Sequence, residues 1–379
     1  MNVLAKLYMY KIVQMVPALG WGGAQIFTIE LCNELMRKQD YDVTLVSMYH
    51  HNPEVHLPLD MLDKRIKFIT LGKHKGPDLK IFSRIRDLLT ELKPDVVHTH
   101  LHTGYYCFPA YMNANSKSYR KIHTIHNLVK KDSPWHGRLA YKYFFRKNII
   151  HPVTISQEVY KSAVHEYGSC IKTLINNGSD PARPTAEFEK VSAYVKSLKK
   201  DEHTKVLLNV ARISPQKNQQ LLLDCMAALE KEGENVIALI LGDALPDDKP
   251  MMEKLIATKP GNVHFLGKVK NVGDYYLNAD AFVLSSVFEG LPISLLEALS
   301  VGVIPVCTPA GGTVDIVKDN IGYLSKEINY NSFLDALRKY LHAGKSKTEA
   351  MKANSIELYR KEFSMESCAE RYIELYHTK

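Results

Sequence analysis

Short apolar runs without alternation recur along the chain, separated by longer stretches whose apolar positions repeat every three to four residues. The short runs fall at 11–16, 43–47, 96–100, 153–156, 206–210, 238–241, 281–284 and 304–307. A strand that is apolar throughout is buried on both faces, as in a parallel sheet covered by helices. The periodic stretches, among them 24–38, 79–92 and 219–231, have the spacing of amphipathic helices. Strand, loop and helix in regular alternation predict an α/β fold built on doubly wound parallel sheets.

The pattern breaks near 176–204. That segment opens on Asn176-Asn177-Gly178, contains Pro181 and Pro184, and ends in a charged run. Beyond it the alternation starts again. Two Rossmann-like domains are therefore expected, at 1–178 and 205–362, with a linker at 179–204. Two such domains facing across a cleft would hold a ligand at the carboxyl ends of their strands.

The length of 379 residues suits two domains of roughly 150–200 residues each. With 45% hydrophobic and 24% charged residues, the composition excludes a disordered or fibrous chain. No apolar run approaches the roughly 18–20 residues of a membrane span. The first apolar stretch is interrupted by Lys6 and Lys11, so it reads as neither signal peptide nor anchor. Six cysteines, at 32, 107, 170, 225, 307 and 368, show no zinc or disulfide spacing and suit a reducing, cytoplasmic setting.

The net charge of +8 is unevenly placed. Residues 1–180 hold 24 lysines and arginines against 15 acidic residues, and 12 of the 16 histidines. Residues 181–379 hold 25 against 26. The basic excess therefore belongs to the first half, which points to different partners for the two halves.

Three motifs carry candidate chemistry. Gly20-Trp21-Gly22-Gly23 lies between the first strand and a helix, where bare backbone and a helix N-terminus can approach an anion; a plain tight turn is the other reading. Arg212 and Lys217 lie in the loop after the first strand of the second half. A forked guanidinium and a mobile ammonium suit a diphosphate, although lone surface cations are usually just solvated. The run 288–298 places Glu289 on a loop and Glu297 inside a helix that Pro292 helps to start. Glu297 has apolar neighbours, so its carboxylate needs donors, which sugar hydroxyls would supply. The backbone of Gly290 and Leu291 would face phosphate.

In order along the chain, GGAQ, HTIHN, NNGSD, ARISPQKN, FEGLPISLLEAL and PAGGTVDIV resemble the retaining glycosyltransferases of family 4, which have the two-domain GT-B fold. The resemblance runs from about residue 12 to the end. It implies transfer of a sugar from a nucleotide-diphospho-sugar, UDP-sugars favoured, with retention of anomeric configuration and without a metal or other cofactor. The first domain would take the acceptor, a glycan or lipid-linked saccharide of surface polysaccharide or glycolipid synthesis, and the second would bind the donor. The resemblance further implies that Arg212 and Lys217 hold the diphosphate and that Glu297 binds the ribose. Glu289 and His126 would contact the transferred sugar. Gly290, Leu291 and Pro292 would approach sugar and phosphate, and Gly22 and Gly23 would close over the phosphates from the first domain. It also implies that the last helix, 363–379, packs back on the first domain. Ala211, Ala244 and Asp315 depart from the family pattern, where Gly, Gly and Glu are usual.

His98, His100 and His102 share one face of a predicted strand end, a spacing compatible with metal. Acceptor contact or cleft lining is the favoured reading, with His100 on the acceptor side, and no metal site is assigned. Arg138, Lys142 and Arg146 recur every four residues beside Trp135, Tyr141, Tyr143, Phe144 and Phe145. Such a face fits an anionic membrane surface, with peripheral attachment at its inner side, or simply a solvated face over buried aromatics. Nucleic acid is not expected, because no recognition module is visible. The alternatives to a transferase are a catalytically silent nucleotide- or glycan-binding partner and a sugar-nucleotide epimerase.

Overall fold

The computed structural model describes residues 9–54, 56–112 and 118–378, which form two units. The first comprises 1–178 and 365–379, the second 179–364.

In the first unit the strands are β1 (Tyr10–Val16), β2 (Tyr41–Ser47), β3 (Lys67–Thr70), β4 (Val96–His100), β5 (Arg120–Ile125), β6 (His151–Thr154) and β7 (Thr173–Leu174). They form one parallel sheet in the order β3-β2-β1-β4-β5-β6-β7. In the second they are β8 (Lys205–Val210), β9 (Val236–Leu241), β10 (Val263–Gly267), β11 (Ala281–Leu284), β12 (Ile304–Cys307) and β13 (Tyr323–Leu324). Their parallel order is β10-β9-β8-β11-β12-β13. Both sheets are doubly wound. The direction of winding reverses between β1 and β4 in the first unit, and between β8 and β11 in the second. At such a point the loops leaving the two strands diverge to opposite faces and open a crevice at the carboxyl ends.

The strands are apolar on both faces because helices cover both. Ile12, Val43, Leu45 and Val96 are fully buried in the first sheet. Ala238, Ile240, Val283 and Val306 are buried in the second, against Leu222, Met226, Phe333 and Leu337.

One boundary differs from the expected ones. The segment 179–204 is part of the second unit, not a free linker. Its helix Phe188–Leu198 buries Val191 and Val195. The backbone N–H and the hydroxyl of Thr185 both donate to the Asp274 carboxylate at 2.7 Å. Proline and charge suggest a linker, but three turns of amphipathic helix and a buried carboxylate acceptor bind the segment down. The last helix spans Met365–His377 and belongs with the first unit, where Cys368, Ala369, Tyr372 and Tyr376 are fully buried.

Candidate functional site

In the second unit, the loops leaving β8 and β11 lie side by side at the reversal point. Val287 N donates to Gln216 O at 2.8 Å, and Gln216 Nε2 donates to Phe288 O at 2.9 Å. The Ser285 hydroxyl lies 3.0 Å from the carbonyls of both Lys217 and Asn218. These bonds bring Lys217 and Glu289 together. Lys217 Nζ donates to Glu289 Oε1 at 2.6 Å, and the Ser286 hydroxyl donates to the same oxygen at 2.5 Å. Glu289 is only 4% exposed. A carboxylate so far from water needs charged or hydroxyl donors, and it has both. The ammonium keeps some exposure, so it is oriented by Glu289 while remaining accessible.

The loop after β12 completes this wall. Gly312 N donates to Gly290 O at 2.8 Å. At Gly311 φ is +62°, and a Cβ there would stand 1.9 Å from the Glu289 carbonyl oxygen. Only glycine fits such an approach. Gly290, Leu291 and Pro292 are buried, and Pro292 caps the helix Ile293–Ser300. Glu297 lies one turn inside that helix, with the Tyr276 hydroxyl 3.0 Å from its Oε2. Burial pushes its carboxyl up to about 7, with Tyr276 pulling the other way. Arg212 is exposed, and its carbonyl receives Gln219 Nε2 at 3.0 Å.

In the first unit, Gly22 precedes the helix Gly23–Arg37 in extended conformation. His100 ends β4, and His126 directly follows β5. These residues therefore share the reversal-point end of that sheet. His98, His100 and His126 are more than nine-tenths buried. Burial and mutual repulsion hold His98 and His100 well below the usual histidine range, and burial holds His126 at about 3. All three are therefore neutral. Both ring nitrogens of His98 and of His100 are committed to side-chain partners. His102 lies apart from them in the following turn. Among the described residues no cluster of three or more His, Cys, Asp or Glu could hold a metal ion.

The basic residues at 138, 142 and 146 lie on the helix Trp135–Arg146 above buried Tyr141, Phe144 and Phe145. Arg138 Nε lies 3.6 Å from Glu166, and Arg146 Nε points at the Tyr167 carbonyl at 3.4 Å. Two of the three cations thus turn toward the helix Gln157–Tyr167. The helix Trp135–Arg146 also exposes apolar side chains: Trp135, Leu139 and Tyr143 are 67%, 60% and 47% exposed. The aromatic stripe is split, with Tyr141, Phe144 and Phe145 buried.

Sequence reasoning passed over Gln14, Ser286 and Tyr276. A glutamine inside the apolar run 11–16 was the visible signal for the first. Ser286 and Tyr276 are ordinary residue types whose partners lie 3 and 21 positions away, and the sequence carries no mark of them.

Two family models match the chain side by side. Glycosyltransferase Family 4 covers residues 21–183, and Glycosyl transferases group 1 covers residues 191–357. The chain belongs to the family 4 glycosyltransferases. Curated relatives of this transferase span most of both chains. One is a Campylobacter jejuni α-1,4-N-acetyl-D-galactosaminyltransferase acting on a GalNAc-GalNAc-diNAcBac-PP-undecaprenol, 26% identical over 82% of this chain and 83% of its own. Another is an Escherichia coli UDP-Gal:α-D-GlcNAc-diphosphoundecaprenol α-1,3-galactosyltransferase, 25% identical over 86% of each. The crystal structure of Anabaena HepE in complex with UDP and glucose superposes with a TM-score of 0.78 at 15% identity, over 97% of this chain and 99% of that one. That likeness shows that the transferase has the GT-B fold.

Proposed function

We propose that this transferase moves a sugar, with retention, from a nucleotide-diphospho-sugar to a saccharide hydroxyl on a lipid-linked acceptor, in surface polysaccharide or glycolipid synthesis. The donor is a UDP-sugar, and no metal takes part. One observation carries this reading: Lys217, Glu289 and Ser286 meet at the reversal point of the second sheet. There Glu289 fixes the ammonium where a diphosphate would lie, and Arg212 is free to approach the same anion. Two cations and backbone dipoles then stabilise the charge of the leaving diphosphate, which in other transferases a metal ion would do. Glu297 accepts the ribose hydroxyls. In the first unit, His126 orients a sugar hydroxyl. The acceptor hydroxyl attacks the face that the diphosphate leaves, and a departing phosphate oxygen takes its proton. A polyprenyl-diphosphate saccharide as acceptor is supported by the substrates named for the Campylobacter and Escherichia relatives, and UDP by the latter's donor and the HepE complex.

The outward stripe Trp135, Leu139 and Tyr143 supports a membrane-facing role for the first unit. Lys142 and Arg146 belong to the same helix, and Phe108, 43% exposed, packs on Phe144 beneath it. Aromatic rings at headgroup depth flanked by cations suit an anionic bilayer surface. Among the described residues no helix is long and apolar enough to cross a membrane. Co-sedimentation with anionic vesicles, lost when Trp135 and Leu139 are both replaced by Ser, is the expected result. Equal absence of binding to anionic and neutral vesicles would overturn this part.

The donor is tested by thermal stabilisation with UDP, GDP, ADP and CMP, first with chelator and then with magnesium. A ligand at 100 times its dissociation constant adds about 2.7 kcal/mol. The expected result is a shift with UDP in chelator. No shift with any nucleotide, or a shift only with magnesium, would contradict the proposal.

A further inference from the structure

Several buried polar residues of the first unit form a continuous chain of hydrogen bonds. It starts on the last helix and ends at His126. The parallel register places Gln14 on β1 opposite His98 on β4, and His100 opposite Thr124 on β5. Gln14, His98, His100 and Thr124 are all fully buried. Tyr372 and Tyr376 of the helix Met365–His377 cover them and are fully buried too.

The proton inventory of this chain follows from its geometry. Gln14 Oε1 lies 2.7 Å from His100 Nε2, and a carbonyl oxygen only accepts. The proton is therefore on His100 Nε2. A neutral imidazole has one ring proton, so His100 Nδ1 is bare. His100 Nδ1 lies 2.9 Å from His126 Nε2, which must then be the donor. His126 Nδ1 is left without a proton. That atom is also buried and has no hydrogen-bond partner.

The other branch is consistent. Gln14 Nε2 donates to the Tyr376 hydroxyl at 3.0 Å. The hydroxyl donates its hydrogen bond to His98 Nδ1 at 2.8 Å, and His98 Nε2 donates to Thr124 Oγ1 at 2.7 Å. Thr124 in turn lies 2.8 Å from the Tyr372 hydroxyl. Turning the Gln14 amide by half a rotation would reverse every donor and place a proton on His126 Nδ1. The amide is thus the element that sets the sense of the whole chain.

We infer that Gln14 and His100 are positioning residues that hold His126 in the Nε2–H tautomer, so that its bare Nδ1 accepts a hydrogen bond from a ligand O–H. The ligand class, a sugar hydroxyl, rests on the proposed glycosyl transfer; the tautomer does not. Tyr376 links that setting to the last helix. A buried acceptor with no partner is an incomplete site, and an O–H donor is what completes it. Burial prevents His126 from becoming the cation that would donate from both nitrogens.

The test is the ring 15N spectrum of the full-length protein labelled at histidine, at neutral pH and without ligand. His126 is assigned from the signals missing in His126→Gln. The expected spectrum shows Nε2 protonated and Nδ1 unprotonated, in a single tautomer. Gln14→Leu should abolish that preference and lower the kcat for transfer while leaving the UDP-induced thermal shift unchanged, because the nucleotide residues lie in the second unit. A protonated Nδ1, or an even mixture of tautomers in the unaltered protein, overturns the inference. So does a single Nε2–H tautomer that persists in Gln14→Leu. The ligand-free spectrum reads the tautomer whether or not sugar transfer occurs, so its failure is separable from failure of the transferase reading.

Discussion

The two units build their crevices at the same topological point with opposite electrostatics. In the second unit the loops after β8 and β11 hold a salt bridge, Lys217 to Glu289, locked by Ser286. In the first unit the ends of β1, β4 and β5 hold a chain of uncharged donors and acceptors, from Tyr376 through Gln14 and His100 to His126. Charge suits an anionic leaving group, whose own charge offsets the cost of holding cations ready. Neutral groups suit hydroxyls, which need direction more than field strength. One architecture thus presents two chemistries, and the difference lies in a few side chains at strand ends.

The comparison can be broken at several places. The largest effect is expected on deleting residues 365–379. Tyr372 and Tyr376 are fully buried in the first unit. Losing each large buried aromatic costs about 3–5 kcal/mol, against a total stability of about 5–15 kcal/mol. The first unit should lose its cooperative melting transition while UDP still stabilises the second. An unchanged calorimetric trace would contradict the packing described here.

Next in size are Glu289→Ala and Lys217→Ala, each expected to lower turnover at least ~100-fold, the scale of one lost transition-state contact. Near-normal steady-state rates in both would remove the salt bridge from the mechanism. Gly311→Ala should follow. The added Cβ meets the Glu289 carbonyl at 1.9 Å, and the residue's φ of +62° strains any side chain. A loss of about 1–3 kcal/mol is expected from the backbone conformation alone, read as a lower melting temperature of the second unit.

The smallest effects concern pH. Burial pushes the Asp132 carboxyl, which accepts the His126 backbone N–H at 2.9 Å, from 3.8 up to about 7. The unfolded chain therefore releases this proton first. Its contribution to stability is whole below about pH 4 and lost as pH rises to about 7. Asp132→Asn should flatten that decline in the first unit. Glu297, also pushed up to about 7, predicts a parallel decline in the second unit that Glu297→Gln should flatten. Melting temperatures unchanged across this range in the native protein would argue against both.

Much of this was legible beforehand. Uninterrupted apolar runs separated by amphipathic stretches suffice for two doubly wound sheets, because burial on both faces leaves its mark on every strand position. Glu289, Lys217 and Glu297 were legible as candidates through their motif spacing. Their bonding was not: Lys217 and Glu289 are 72 positions apart and meet only when β8 and β11 are neighbours. Gln14 looked like an exception in a core strand, and its meaning depends on a helix more than 350 residues away. The partners of Arg138 and Arg146 were not legible, because helical spacing gives faces without saying which face a neighbour covers. The helix Gln157–Tyr167 supplies Glu166 to Arg138 and the Tyr167 carbonyl to Arg146.

The most direct test of the charged crevice is calorimetric titration of UDP, in chelator, into the native protein and into Lys217→Ala. The account predicts saturable metal-free binding to the native protein and its loss in the variant. Binding that needs magnesium, or equal affinity in both proteins, would contradict it.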